Sequence, residues 1–186
     1  ILDFDNLTEE NIYVLDSPIL TNSQFKKFKK FFSKKIKVID CTFDIQNSLK
    51  DRIEAIREEA ETAVREGGTC IILSDKNFSS QKASIPSILT VGAVHSHLVK
   101  HGLRGYCSLN VECSDALDTH SFAILIGVGA TTVNPYLAID SIYQRFEKKL
   151  FGKSDFESCV VKFKKSIDAG LLKIMSKMGI SVISSY

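Results

Sequence analysis

Apolar positions along this chain follow two alternating periods. Phe25, Phe28, Phe31 and Phe32 stand three and four apart, with Lys26, Lys27, Lys29, Lys30, Lys34 and Lys35 between and after them. That spacing predicts one apolar stripe on a lysine-rich helix. Ser17-Pro18 and Thr21-Asn22 read as the turn before it, with Asn22 or Ser23 as its cap. The next run, KIKVID at 35–40, is short, β-branched and ends in an acid. From Ile45 to Gly67 the helical period returns, carried by Leu49, Ile53, Ile56, Ala60 and Val64, and Gly67-Gly68 stops it.

The alternation then repeats. TCIILS at 69–74 is almost wholly apolar, as in strands covered on both faces. A polar loop spans Asp75 to Ser84. Pro86 opens a helix that runs through His101 and closes at Gly102. GYCSLNVE at 105–112 is a third strand. Ser114 and Asp115 are in place to cap a helix that turns Leu117, Ala123, Ile124 and Ile126 inward, before Gly127 and Gly129 break it. ATTVN at 130–134 is a fourth strand, followed by a helix from Pro135 to about Leu150 and a long one from Asp155 to Lys177. Gly179 ends that helix, and ISVIS at 180–184 reads as a fifth strand needing a sheet to join. Strand–helix alternation of this kind predicts an α/β fold, with a parallel β-sheet and outer helices joined by right-handed crossovers. Four consecutive units are half of an eight-unit barrel, so the expected arrangement is half-barrel-like, an incomplete TIM-type sheet.

Composition adds limits. The chain has 186 residues, 44% hydrophobic and 25% charged, which suits one domain with its own core. A net charge of +2 gives no global electrostatic case for nucleic acid. The run Lys26 to Lys37 is the only basic stretch to weigh as a polyanion-binding surface, and a solvated lysine face explains it better. No apolar run reaches the length of a membrane span, and ILDFDNLTEEN has no signal-peptide character. It also lacks an initiator Met, as expected of a trimmed piece. Cys41, Cys70, Cys107, Cys113 and Cys159 are odd in number, scattered and without a CxxC, so free thiols in a reducing compartment are expected.

Ligands of parallel α/β sheets bind at the carboxyl ends of the strands. Those positions here are Asp40-Cys41, Ser74-Asp75, Glu112-Cys113 and Asn134. Asp75, Glu112 and Asn134 suit a small polar ligand, although polar residues also follow strands simply to turn the chain. His95 and His97 are two apart on one helix and point to different sides. His101 stands four after His97, better ligand spacing, but the stretch lacks the acid of HExxH. His120 with Cys113 or Asp115 has no spacing that fixes a nucleophile pair. Gly127-Val128-Gly129 fails as a dinucleotide fingerprint, because Thr132 replaces the third glycine and a strand follows rather than precedes it. No catalytic, cofactor-binding or metal residue is assigned on these grounds.

Longer strings carry more. IPSILTVGAVHSHLVKHGLR from Ile85, VNPYLAIDSI from Val133 and AGLLKIMSKMGISVISSY from Ala169 resemble the large chain of glutamate synthase, in its central domain. So do Asp16-Ser17-Pro18-Ile19-Leu20-Thr21, EAETAVREG ending at Gly67, and Ile71 to Asp75. The resemblance implies a segment between a glutamine amidotransferase domain and an FMN-binding domain. It divides the chain into a linker at 1–15, the central domain at 16–178, and the first strand of the FMN-binding domain at 179–186.

In that family, ammonia from glutamine passes through an internal tunnel to 2-oxoglutarate, and reduction at FMN gives glutamate. Electrons arrive through an iron–sulfur cluster, from a small flavoprotein subunit or from ferredoxin. The resemblance places the nucleophilic cysteine before this segment and the cluster cysteines far after it; none of the five cysteines here matches either. It implies a cytoplasmic enzyme, flanking domains in the same polypeptide, and a segment that is a structural connector, binds no cofactor itself and is inactive alone. The family commonly has three histidines where His95-Ser96-His97 stands, a tyrosine where Val128 stands, and an acidic–arginine segment with paired histidines where Asp115 to Ser121 stands. The alternative from the residues alone is a free-standing half-barrel that binds a small ligand.

Overall fold

A computed structural model describes residues 13–33 and 35–186. Its centre is a four-stranded sheet: β1 (Ile36–Asp40), β3 (Cys70–Ser74), β5 (Ser108–Glu112) and β6 (Thr132–Asn134), paired in that order and all parallel. Each strand lies beside the next main strand in the chain, so the sheet winds in one direction, as a barrel does, but it does not close. Helices α2 (Leu49–Arg65), α3 (Ser87–Lys100) and α4 (Thr119–Gly127) connect the strands. They pack on the face formed by Ile39, Ile71, Leu73, Leu109, Val111 and Val133. From α2 come Ile56, Ala60 and Val64, from α3 Val91, Val94 and Leu98, and from α4 Phe122 and Leu125. α6 (Phe156–Met178) adds Ile167 and Leu171 to this core, and α5 (Tyr136–Glu147) packs beside α6.

The other face is covered by one helix, α1 (Asn22–Phe31). Its buried Phe25 and Phe28 meet Leu20, Cys70 and Ile72 in a second, smaller cluster. Phe32 is half-buried, and Phe31 is exposed but stands 5.0 Å from the Tyr13 ring. The cap is Thr21, one residue earlier than the spacing predicts. It forms a capping box with Gln24: the Thr21 hydroxyl accepts from the Gln24 amide, and the Gln24 side chain accepts from the Thr21 amide. The chain just before α1 closes the β6 edge, where Leu20 N–H donates to Val133 O at 2.9 Å and Val133 N–H donates to Pro18 O at 2.8 Å.

Three expectations change. The loop 75–84 contains β4 (Lys82–Ser84), which pairs antiparallel with β2 (Thr42–Asp44) as a flap beside the sheet. These strands are three residues each, too short for an alternation to show. Ser114 and Asp115 do not cap α4, whose N-cap is Asp118. Asp115 instead caps α3, accepting from the Ser87 N–H at 2.9 Å and from its hydroxyl; α3 has no capping side chain of its own because Pro86 occupies that position. The segment 180–184 is not a strand. After Gly179 closes α6 in the left-handed conformation, the chain forms a 3₁₀ turn at Ile183–Ser185, mostly exposed, and Tyr186 packs against Gly127. The β6 edge it would need is already taken by residues 18–20. The 1–15 linker lies almost wholly outside the described residues.

Two substitutions test this packing. Asp115→Ala should lower stability by about 1 kcal/mol through loss of a cap. Gly129 has φ +117°, and an added Cβ would strike the His95 ring. Gly129→Ala should therefore cost at least about 2 kcal/mol. Urea denaturation measures both, and a neutral Gly129→Ala would contradict the described contact.

Candidate functional site

The face under α1 is built in rows, because neighbouring strands are in register and side chains alternate between faces. Ile36, Cys70 and Ser108 form the first row. Val38, Ile72, Asn110 and Thr132 form the second. Asp40, Ser74, Glu112 and Asn134 form the third, at the carboxyl ends of the strands. The structure thus brings the predicted strand-end residues into one line, and every member of that line is polar.

Glu112 is its centre. The side chain is 4% exposed, yet it makes three charge-bearing or polar contacts. Ser74 Oγ donates to Oε2 at 2.8 Å, while Lys76 Nζ and Lys29 Nζ reach Oε1 at 2.9 and 3.2 Å. Burial pushes its pKa up, but the bonds from Lys76 and Ser74 and the charge of Lys29 outweigh that and hold the carboxyl below the ordinary glutamate value. Lys29 comes from α1 and lies 4.8 Å above the Phe25 ring; Lys76 lies 5.0 Å above the Tyr136 ring. Sequence periodicity put Lys29 on a solvated face, which is where this reading fails.

The neighbours are committed in the same way. Asp40 accepts from the Thr42 amide and hydroxyl and from Asn77, and these bonds outweigh its burial and lower its pKa. Asn134 donates to Leu20 O and to Asn22 Oδ1, tying β6 to the start of α1. Asn110, fully buried, donates to Ile71 O and accepts from the Thr132 hydroxyl. Asp75 Oδ2 accepts from the Ser84 hydroxyl and from both the amide and hydroxyl of Ser114. Burial, then the Asp75 carboxylate, raise the Tyr136 phenol, so it stays protonated. A groove of about 1050 Å³ runs between α1, α5 and α6, lined by Asp16, Asn22, Tyr143, Phe156, Lys164 and Asp168 among others. None of Asp40, Ser74, Glu112 or Asn134 lines it.

The remaining candidates separate. His95 accepts from Arg104 Nε at 3.2 Å, and burial and the Arg104 charge lower its pKa. Arg104 also donates to Cys107 O and Gly129 O, so His95 and the Gly127–Gly129 turn belong to a packing knot. His97 and His101 face α2 instead, against Glu61. Cys113 is buried and its thiol is pushed up by burial; Cys41 is raised to about 12 and Cys70 to about 11 for the same reason. These thiols are inert packing groups. His120 is exposed, in the first turn of α4 next to Asp118.

Comparison with known proteins covers the whole of this architecture. The model of the glutamate synthase central domain matches residues 2–186. The chain is 49% identical to the glutamate synthase [NADPH] large chain of Azospirillum brasilense over its full length, and 40% identical to that of Bacillus subtilis over 92% of it. It is 38% identical to the ferredoxin-dependent glutamate synthase of Pyropia yezoensis over 92% of its length. It spans 12%, 11% and 12% of those relatives respectively. Among solved structures, a double-mutant flavocytochrome b2 with pyruvate bound superposes with a TM-score of 0.51 and 18% identity, over 89% of this chain and 36% of that one. That likeness concerns the fold alone. No described helix is long and apolar enough to cross a membrane. The chain belongs to the glutamate synthase central domain family.

Proposed function

We propose that this chain is the rigid connector of a cytoplasmic glutamate synthase, placed between an amidotransferase domain and an FMN-binding domain of one polypeptide. Residues 179–186 then lead into the FMN-binding domain. In the whole enzyme, glutamine supplies ammonia to 2-oxoglutarate, and electrons come from a small flavoprotein subunit or from ferredoxin. FMN supplies the reducing equivalents in the following domain. Ammonia moving between two sites has to be kept from bulk water, which a stiff joint of fixed length favours.

The observation that carries this reading is the third row of the inner face. Its donors and acceptors are spent on the chain itself, through Lys29, Lys76, Ser74, Thr42, Asn77 and Leu20. A ligand reaching Glu112 would have to displace Lys29 or Lys76. The same arrangement weighs against a small ligand held by Glu112 and Asn134; at Asp75, Oδ2 is taken by Ser84 and Ser114 while Oδ1 has no partner. The residues present do not fit an iron–sulfur cluster either. The five cysteines are each free and buried, and among the described residues no cluster of three or more metal-binding side chains contains one, so an iron–sulfur cluster has no thiolate set here.

Isothermal titration of the purified 186-residue chain with FMN, glutamine and 2-oxoglutarate should give no saturable heat, and a micromolar complex with any of them would overturn the connector reading. A second test loosens the joint. Glu112→Gln strands two lysines at the row and should lower stability by about 1.5–3 kcal/mol. The Glu112 carboxyl titrates lower in the folded chain than in the unfolded one. Its contribution is therefore complete above the ordinary glutamate value of about 4.3 and is lost as pH falls through the folded value. The gap between wild type and Glu112→Gln in urea midpoints should accordingly narrow on acidification below that value; a gap independent of pH would contradict the lysine-held anion.

A further inference from the structure

The carboxyl ends of α2 and α3 meet at the end of the sheet opposite the polar row, and three ligand-type side chains converge there. Glu61 is in the last two turns of α2. His97 is in the last turn of α3, and His101 is the residue that caps it. Glu61 Oε2 lies 2.6 Å from His97 Nε2, and Glu61 Oε1 lies 3.4 Å from His101 Nδ1. The two imidazole rings are 4.4 Å apart, tilted by 30°. One ligand atom from each of the three falls within 4.8 Å of the others.

We propose that Glu61, His97 and His101 form a binding site for a divalent transition-metal ion, clamping α2 to α3. The third ligand comes from the neighbouring helix α2, as the Glu61 carboxylate. Metal–ligand bonds of about 2.0–2.1 Å in a tetrahedral site put ligand atoms about 3.3 Å apart. The Glu61–His101 pair is already at that spacing. The Glu61–His97 pair is closer because it is a direct hydrogen bond, and it has to open slightly to admit the ion. Two imidazoles and a carboxylate select zinc-like ions over calcium or magnesium, which take oxygen ligands. The side chains are 20%, 13% and 34% exposed for Glu61, His97 and His101, leaving an entry path and a fourth position for solvent. Both helices end here, so the negative ends of two helix dipoles also favour a cation.

One competitor is present. Arg65 donates to Glu61 Oε1, with its nearest nitrogen at 2.7 Å, but its own side chain is 56% exposed and free to swing into water. Such an exposed pair is weak against metal coordination.

The test is titration of the purified 186-residue chain with zinc chloride in a non-chelating buffer, followed by calorimetry. One ion per chain with micromolar affinity is expected. His101→Ala and Glu61→Gln should each weaken binding at least tenfold, and Arg65→Met, which keeps all three ligands, should tighten it several-fold. Circular dichroism checks that each variant is folded. With zinc at a hundredfold excess over its dissociation constant, the melting temperature should rise by about 5 °C or more, and this rise should vanish in folded His101→Ala. Absence of stoichiometric binding overturns the site. So does binding that survives both His101→Ala and Glu61→Gln, since it would then lie on other groups. Binding lost in His101→Ala but unchanged in Glu61→Gln would reduce the site to a histidine pair and refute the three-ligand clamp.

Discussion

A carboxylate kept charged inside the protein sets the terms for everything on the inner face of the sheet. Glu112 cannot be buried as an anion without positive partners, because the loss of hydration would exceed any packing gain. The two partners come from different places. Lys76 follows β3, and Lys29 sits on α1. The lysine on α1 means that the helix covering the sheet is also the helix that neutralises it. Its phenylalanines pack on Cys70 and Ile72 of the first two rows and its lysine reaches the wholly polar third row, so one amphipathic element meets both the apolar and the charged part of this face.

The winding of the sheet explains why such a cover is needed. Because each strand is added beside the last main strand, α2, α3 and α4 share one face with an all-apolar set of strand residues. In a closed barrel the opposite face would be filled by the other strands. Among the described residues the sheet has four strands, and residues 17–32 cover the β6 edge and inner face where a barrel would continue. Pro18 and Leu20 hydrogen-bond the open edge of β6, Asn22 bonds Asn134, and Phe25 and Phe28 lie over Cys70 and Ile72. The β6 edge and the β3 part of the inner face are covered in this way, while Val38 of β1 is 50% exposed. The two ends of the sheet differ in turn. The carboxyl end is locked by internal ion pairs, while the amino end carries the converging Glu61, His97 and His101.

Much of this was legible before any coordinates. The alternation of KIKVID, TCIILS, GYCSLNVE and ATTVN with helical stretches defined the parallel sheet, and the strand ends Asp40-Cys41, Ser74-Asp75, Glu112-Cys113 and Asn134 were readable as one region, whereas the register decided that Asp40, Ser74, Glu112 and Asn134 share one row. Other features were not legible, each for its own reason. The β2–β4 flap uses strands too short to show a period. The cap of α3 is an aspartate twenty-eight positions away, and no local pattern reports it. Residues 180–184 have strand-like composition, but composition does not say whether a sheet edge is free to receive them.

Along the chain, the sequence by itself determined the long helices and the four parallel strands, and which side of each helix is apolar, because those choices depend on neighbours within a few positions. Only the tertiary structure decided which charges meet. Lys29 with Glu112 and Glu61 with the two histidines are pairs of groups from separate elements, and their worth depends on burial and on distances of a few ångströms. A linear order of residues does not contain those distances until the sheet has brought the elements together.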